Sequence, residues 1–474
     1  MVSGRKTIAF PAYLPDQLPR NVLTVAENVY PAASGYRAVK GPQAISDALP
    51  AAFLGGYSAI ASDGAVSLLA GTANGLMRLG AGTWATLLTA LSVGQRWRFA
   101  QFGDHVVAVN GGVTQDVDLI AGTAAALAGA PSGDSVAVVG DYAVITNTNG
   151  DNQRVDWSAF NDHTGWTPGV DQSGFQPMLT GGEIKGIAGG EYGVILQRFR
   201  LVRMERTGDA TAPFNFPEIT TNVGCAASGS VSQAGRTVFF LSDRGFMALD
   251  DGTALRPIGN EKFDQTFRDT VSTGDYERLW SAVDPKRSLV FWGVDGKPGR
   301  IWVYNWVLDR ASTLSLPFSG FFAGYENSLT LEQVSALYPN IDTMPFSLDD
   351  ARFQGGDPRM YIVDADRKLC ALSGPNLPAA LQIGFADVAD EAVARLRGVW
   401  PVTDATDGVT VTVDARQRLG DDEGNRTGAD MQRSGRVPLR VRGRLMSLGM
   451  KIAEGTNWSY AQGLELEAEA GGVR

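Results

Sequence analysis

QAGRTVFFLSDRGFMALDDG, residues 233–252, decides how the chain is to be read. A short polar turn, Ala234-Gly235-Arg236, leads into the apolar run TVFFL. A second turn, Asp243-Arg244-Gly245, leads into FMAL, and Asp-Asp-Gly ends it. Both runs are too short and too β-branched or aromatic for helices, and their turn dipeptides are those of hairpins.

The same unit recurs along the chain, as ASDGAVSLLAG (61–71), QFGDHVVAVNG (101–111), VVGDYAVITN (138–147), AGGEYGVILQ (188–197), DPKRSLVFWG (284–293) and DADRKLCAL (364–372). Their turns fall near Asp63, Asp104, Asp141, Glu191, Gly235, Lys286 and Asp366. Most successive gaps are roughly 40–50 residues, the length of a propeller blade. Second strands such as NGLMRLG, RFRLVRME and GRIWVYNW follow at once, which gives two hairpins per period and hence a four-stranded blade. A lone blade cannot cover both its faces, whereas a ring of blades buries them against one another. The fold expected is therefore all-β, an irregular β-propeller of about six to seven blades with a rim insertion and a C-terminal β-rich block. The competing reading is a pair of irregular β-sandwiches, which also space short strands regularly. The G-H…W-D signature and the regular kelch aromatics are both missing.

Four regions follow from this pattern. Residues 1–50 form an extended arm and a ring-closing strand, and 51–310 form blades. Residues 311–359 form an inserted rim or platform segment, in which TLEQVSALY is expected to be a short helix capped by Thr330. Residues 360–474 hold the last blade or blades and the β block, and the sequence leaves open whether that block closes the ring or stands as a separate small domain.

Composition narrows the chemistry. The 57 glycines and 21 phenylalanines of the 474 residues suit strands and tight turns. Cys225 and Cys370 are far apart and outside any C-x-x-C spacing, so they are expected to be buried thiols rather than a disulfide or zinc site. The N-terminus lacks the apolar stretch of a secretory signal, and no apolar run approaches the ~18 residues of a membrane span. Asn457-Trp458-Ser459 carries no weight as a glycosylation acceptor without such a signal. A net charge of −10 argues against a broad phosphate-gripping surface, yet it suits a wall along which DNA must slide.

The two histidines carry the only candidate chemistry. His105 lies in a blade-type strand and is expected to be structural. His163 lies in FNDHTGWTPGVDQSGFQP (160–177) with Asp162, Asp171 and, just upstream, Asp156. These acids permit a carboxylate–histidine pair or a metal cluster, but Asp is also a turn residue, and a docking or structural role is the expectation. No Walker motif, nucleophile elbow or zinc-protease motif occurs, so no catalytic, cofactor-binding or metal-binding residue is assigned and no enzyme activity is expected. The C-terminal arginines Arg395, Arg397, Arg416, Arg418, Arg426, Arg433, Arg436, Arg440, Arg442 and Arg444 interleave with acids. Within RVPLRVRGRL their spacing lines one strand face.

Several stretches, taken in order, resemble one family. PAYLPDQLPR, AENVYP and GYRAVKGP open the chain. WSAFNDHTGW, GGEIKGI, LVRM and FNF follow, then GCAASGSVSQAGRTVFFLSDRGFMALDDG with PIGNEKFDQTF, and VRGRLMSLGMKIAEGTNWSYAQGLELE closes it. Together they are similar to the tail-hub, nozzle or tail tubular proteins of short-tailed bacteriophages. The resemblance implies a propeller core and a homo-hexameric ring below the portal and head-to-tail adaptor. It also implies a conduit that retains packaged double-stranded DNA and passes it during ejection, with tail fibres, spikes or a needle attached, in the virion tail. The alternatives are a carbohydrate-binding or carbohydrate-hydrolysing propeller using Asp156, Asp162 and His163, and a cell-surface adhesin, which the missing signal disfavours.

Overall fold

The computed structural model describes residues 4–91, 95–296, 299–325, 358–388, 392–421 and 424–471. Most of the expected rim insertion, including TLEQVSALY, lies outside them. The described chain is all-β, with seven four-stranded units arranged as a propeller.

The opening stretch explains why. Thr237–Ser242 pairs with Gly245–Asp250, and its side chains alternate between two neighbours. Val238 and Phe240 pack toward the preceding unit with Val194 and Leu196, while Phe239 and Leu241 pack toward the next with Val290 and Trp292. His105–Val109 behaves alike: Val106 and Ala108 join Leu69 and Leu76 on one side, and Val107 and Val109 join Val136 and Ile145 on the other. A strand buried on both faces reads as a continuous apolar run, which is the repeated signal.

The first three blades span Phe53–Thr89, Arg98–Ala126 and Ser135–Pro177, and the fourth spans Ile184–Thr220 with Phe214–Asn215 and Glu218–Thr220 sharing its outer edge. Blades five and six span Ser232–Pro257 and Leu279–Ser315. Blade seven takes Gly320–Tyr325, Pro358–Val363 and Lys368–Asn376 from one part of the chain and its outer strand, Lys40–Ala48, from another. Its Gly320–Tyr325 strand lies against the first strand of blade one, which closes the ring. Six of the seven repeated turns join the first and second strands of a blade. The seventh, at Asp366, joins the second and third strands of blade seven.

Two arginines from the entry to blade two bridge the middle of the ring. Arg96 donates to the Leu279 carbonyl, approaches Asp295 at 3.4 Å and stacks 3.9 Å from the Trp280 ring. Arg98 donates to the Ser228 carbonyl at 3.2 Å.

Outside the ring, the outer strand of blade six continues through a parallel bridge into a further set of strands. These are Leu23–Glu27, Ala379–Ile383, Leu445–Ile452, Val409–Arg416 and Asn425–Asp430. A second sheet, built on Tyr460–Gly471 and Val393–Thr403, covers them. Leu396, Val399, Leu464 and Leu466 from the second sheet share one core with Val411, Val413, Leu448 and Met450 from the first. The C-terminal block thus supplies most of a two-layer sandwich whose other strands come from residues 4–38.

A short helix, Asp264–Thr270, locks blade five to this sandwich. Asp16 accepts from the Gln265 and Thr266 amides at 2.7 and 2.8 Å, and Phe267 packs edge-on to Phe246 and Trp302. Asp264 itself is buried and accepts from the Phe246 amide at 3.1 Å, and its Oδ2 has no hydrogen-bond partner. Burial pushes its carboxyl up to about 6, with the Phe246 amide and Arg268 opposing. The folded value exceeds that of a free Asp, so the penalty for ionising it is complete above pH 6 and vanishes below about pH 4. Lowering the pH from 7 to 4 is expected to stabilise the wild-type chain relative to Asp264→Asn by roughly 2–3 kcal/mol. Urea unfolding of both chains across that range reads this difference, and a pH-independent gap would refute it.

Candidate functional site

The loop between the third and fourth strands of blade three, residues 158–173, folds over the edge of blade two. Its own backbone shapes it: the Ala159 amide bonds the Gly165 carbonyl, the Phe160 amide the Asp171 carbonyl, and the Ser173 amide the Val170 carbonyl. Trp166 packs into the apolar layer between blades two and three, and its Nε1 donates to the His163 carbonyl at 2.7 Å. That anchor sets His163 against blade two.

The acids expected near His163 face elsewhere. Asp162 accepts from the Thr164 amide and hydroxyl at 2.8 and 2.6 Å, and these bonds hold its carboxyl below the usual range. Asp156 is buried in a two-bond fork from Arg154 at 2.8 Å and also accepts from Thr148. Asp171 occupies a left-handed turn position, with φ 47°. The triad Asp156, Asp162 and His163 of the carbohydrate reading is therefore not assembled.

A different cluster forms instead. His105 and Asp116 stand on adjacent strands of blade two, where Asp116 pairs with Val107 and so shares the face of His105, two residues away. The Asp116 carboxylate lies 3.0 and 3.1 Å from His105 Nδ1. From blade three, His163 brings Nε2 to 3.5 Å from Asp116 Oδ2, and the two imidazoles lie 4.5 Å apart. A contact of 3.5 Å is beyond a well-formed hydrogen bond, and His163 Nε2 is buried with no such bond. Leaving that nitrogen without a partner costs about 1–3 kcal/mol. Burial raises the Asp116 carboxyl, but the two imidazoles that face it outweigh burial and leave it below its ordinary value. His105 is thus more than a strand residue, and Asp116 is a member that sequence reading missed.

No family model and no curated protein matches the chain. Among solved structures it is similar to a chain of a nidogen/laminin complex, with 11% identity and a TM-score of 0.31, over 48% of this chain and 94% of that one. It is also similar to a chain of a mitotic checkpoint complex, with 6% identity and a TM-score of 0.39, over 72% of this chain and 95% of that one. Neither likeness bears on function.

Four of the C-terminal arginines, joined by Arg5, face acids in the sandwich. Arg5, Arg436 and Arg397 face Glu465, Glu467 and Glu469 at 3.6, 2.9 and 2.7 Å, with Arg5 stacked 4.1 Å over Trp400. Arg416 and Arg426 share Asp414. Arg440, Arg442 and Arg444 alternate with buried Leu439, Val441 and Gly443 along an edge strand, and Arg442 pairs in register with exposed Arg395. That edge is a small basic face on an acidic chain. Cys225 and Cys370 are both free and buried. Among the described residues no helix is long and apolar enough to cross a membrane.

Proposed function

We propose that the chain is a non-catalytic structural protein of a short phage tail. In this reading six copies form a hub or nozzle ring below the portal and adaptor, retain packaged DNA, conduct it during ejection and anchor fibres or spikes. The observation that carries the proposal is where the tail-like segments fall. Asn28 and Tyr36 of AENVYP and GYRAVKGP, Asp264 and Phe267 of PIGNEKFDQTF, and Trp458 of the closing segment all lie where arm and sandwich meet blades five to seven. Asn28 donates to the Pro378 carbonyl and accepts from the Ser315 amide, and Asn376 donates to the Trp458 carbonyl. Such joints make ring and sandwich one stiff body, which a part loaded by pressurised DNA requires.

The conduit of this proposal lies between copies, since Arg96 and Arg98 bridge the centre of each propeller. Net charge −10 on each copy would keep phosphates off its wall, and the basic edge at Arg440–Arg444 offers a complement to acidic surface on a neighbour. The carbohydrate reading is weaker because its three residues do not converge. Electron microscopy of the chain with its portal and adaptor should show a six-fold ring to which this chain contributes about six times 50.4 kDa. A monomer under all of these conditions would overturn the assembly.

A further inference from the structure

The His105–Asp116–His163 cluster has the chemistry of a metal site, independently of any role in a tail. One ligand atom from each residue lies within 4.8 Å of the others. The 3.0 and 3.5 Å separations from Asp116 Oδ2 bracket the edge of about 3.3 Å expected between two ligands tetrahedral around zinc at ordinary bond lengths. Two imidazoles and one carboxylate suit zinc or a neighbouring first-row divalent ion, and do not suit calcium or magnesium, which take oxygen shells. The second sign is His163 itself: only 8% exposed, with Nε2 turned toward Asp116 and lacking a hydrogen bond. A metal ion would satisfy that nitrogen. The His105 side chain, 35% exposed, leaves a route for the ion to enter and for water to complete its shell.

We propose that His105, Asp116 and His163 bind one divalent transition-metal ion, zinc fitting best, which fastens the 158–173 loop of blade three to blade two. In this proposal the ion acts as a cross-blade clasp. Two ligands come from neighbouring strands of blade two and the third from the blade-three loop, so the ion would tie that loop to the adjacent blade.

The test uses the full chain, stripped with chelator and titrated with Zn²⁺ by calorimetry, and with Co²⁺ for its visible absorption. One equivalent should bind, with imidazole-type cobalt bands, and bound zinc should raise the melting temperature by mass action. His163→Ala and Asp116→Asn should each weaken binding by about tenfold or more and abolish the thermal shift. Asp162→Asn, which keeps the acceptor for Thr164, should bind within about twofold of wild type. Far-UV circular dichroism of the metal-free chains checks folding. If His163→Ala does not fold, His105→Gln at the more exposed ligand should show the same loss. Absence of stoichiometric binding, or equal binding by the ligand variants, would overturn the site. Loss in Asp162→Asn as large as in Asp116→Asn would do so too.

Discussion

Gly245→Ala is expected to cost roughly 3–5 kcal/mol, a large part of the 5–15 kcal/mol typical of a folded protein. Two penalties combine. The residue sits at φ 116°, a backbone region that side chains avoid, and a Cβ there would lie 1.9 Å from Asp264 Oδ2. That carboxylate has no room to retreat, because a Cβ at Gly259 would meet its other oxygen at the same distance. Pushing it aside breaks the Phe246 amide bond and shifts the helix that carries Phe267. Gly64→Ala is the control: φ is 85° but nothing lies within 4 Å of the added atom, so only the backbone cost of about 1–2 kcal/mol applies. Denaturant midpoints of the two variants separate crowding from backbone strain. Equal losses would show that the Asp264 pocket yields.

Arg310→Ala should rank next, at about 3–5 kcal/mol, and its damage should concentrate in the N-terminal arm. From the outer strand of blade six the guanidinium donates to the carbonyls of Ala32, Phe10 and Pro11 at 2.7, 3.3 and 2.8 Å. It also lies 4.9 Å from the Tyr36 ring, whose hydroxyl donates to the Pro11 carbonyl at 3.1 Å. One planar cation thus gathers three carbonyls of an arm that has little helix or sheet of its own between residues 10 and 22. Lysine should rescue poorly, since a compact ammonium cannot span the same three acceptors. Limited trypsin digestion should cut after Arg20 or Arg37 much faster in the variant. Unchanged cutting would mean that sheet pairing alone holds the arm.

The blades were legible because their strands are buried on both faces: VFFL at 238–241 and VVAV at 106–109 need no partner to be known before they look like core. The sandwich was not, since Leu23–Glu27 pairs with Ala379–Ile383 across a separation that no local pattern reports. The site divides the same way. His163 stood out as a loop histidine, but its sequence neighbour Asp162 folds onto its own backbone, as a turn residue does. Its partner Asp116 depends on a hairpin register and on a loop reaching from the next blade. Alternation alone puts His105 and Val107 on one face, and pairing QDVD against HVVAV would have added Asp116 to it. The arginines of RVPLRVRGRL did line one face beyond Arg436, as alternation implies, while Arg436 turned to Glu467.

The outer strand of blade seven has a consequence for biosynthesis. Lys40–Ala48 leaves the ribosome early, yet its partner Lys368–Asn376 follows only after roughly 320 further residues, or about 15–65 s of translation. Throughout that interval the nascent chain carries an unpaired strand edge and an open ring, the states most prone to pair with a neighbouring chain. Ring closure therefore waits for residues 368–376, and a chaperone that shields the open edge until then should raise the yield of folded protein.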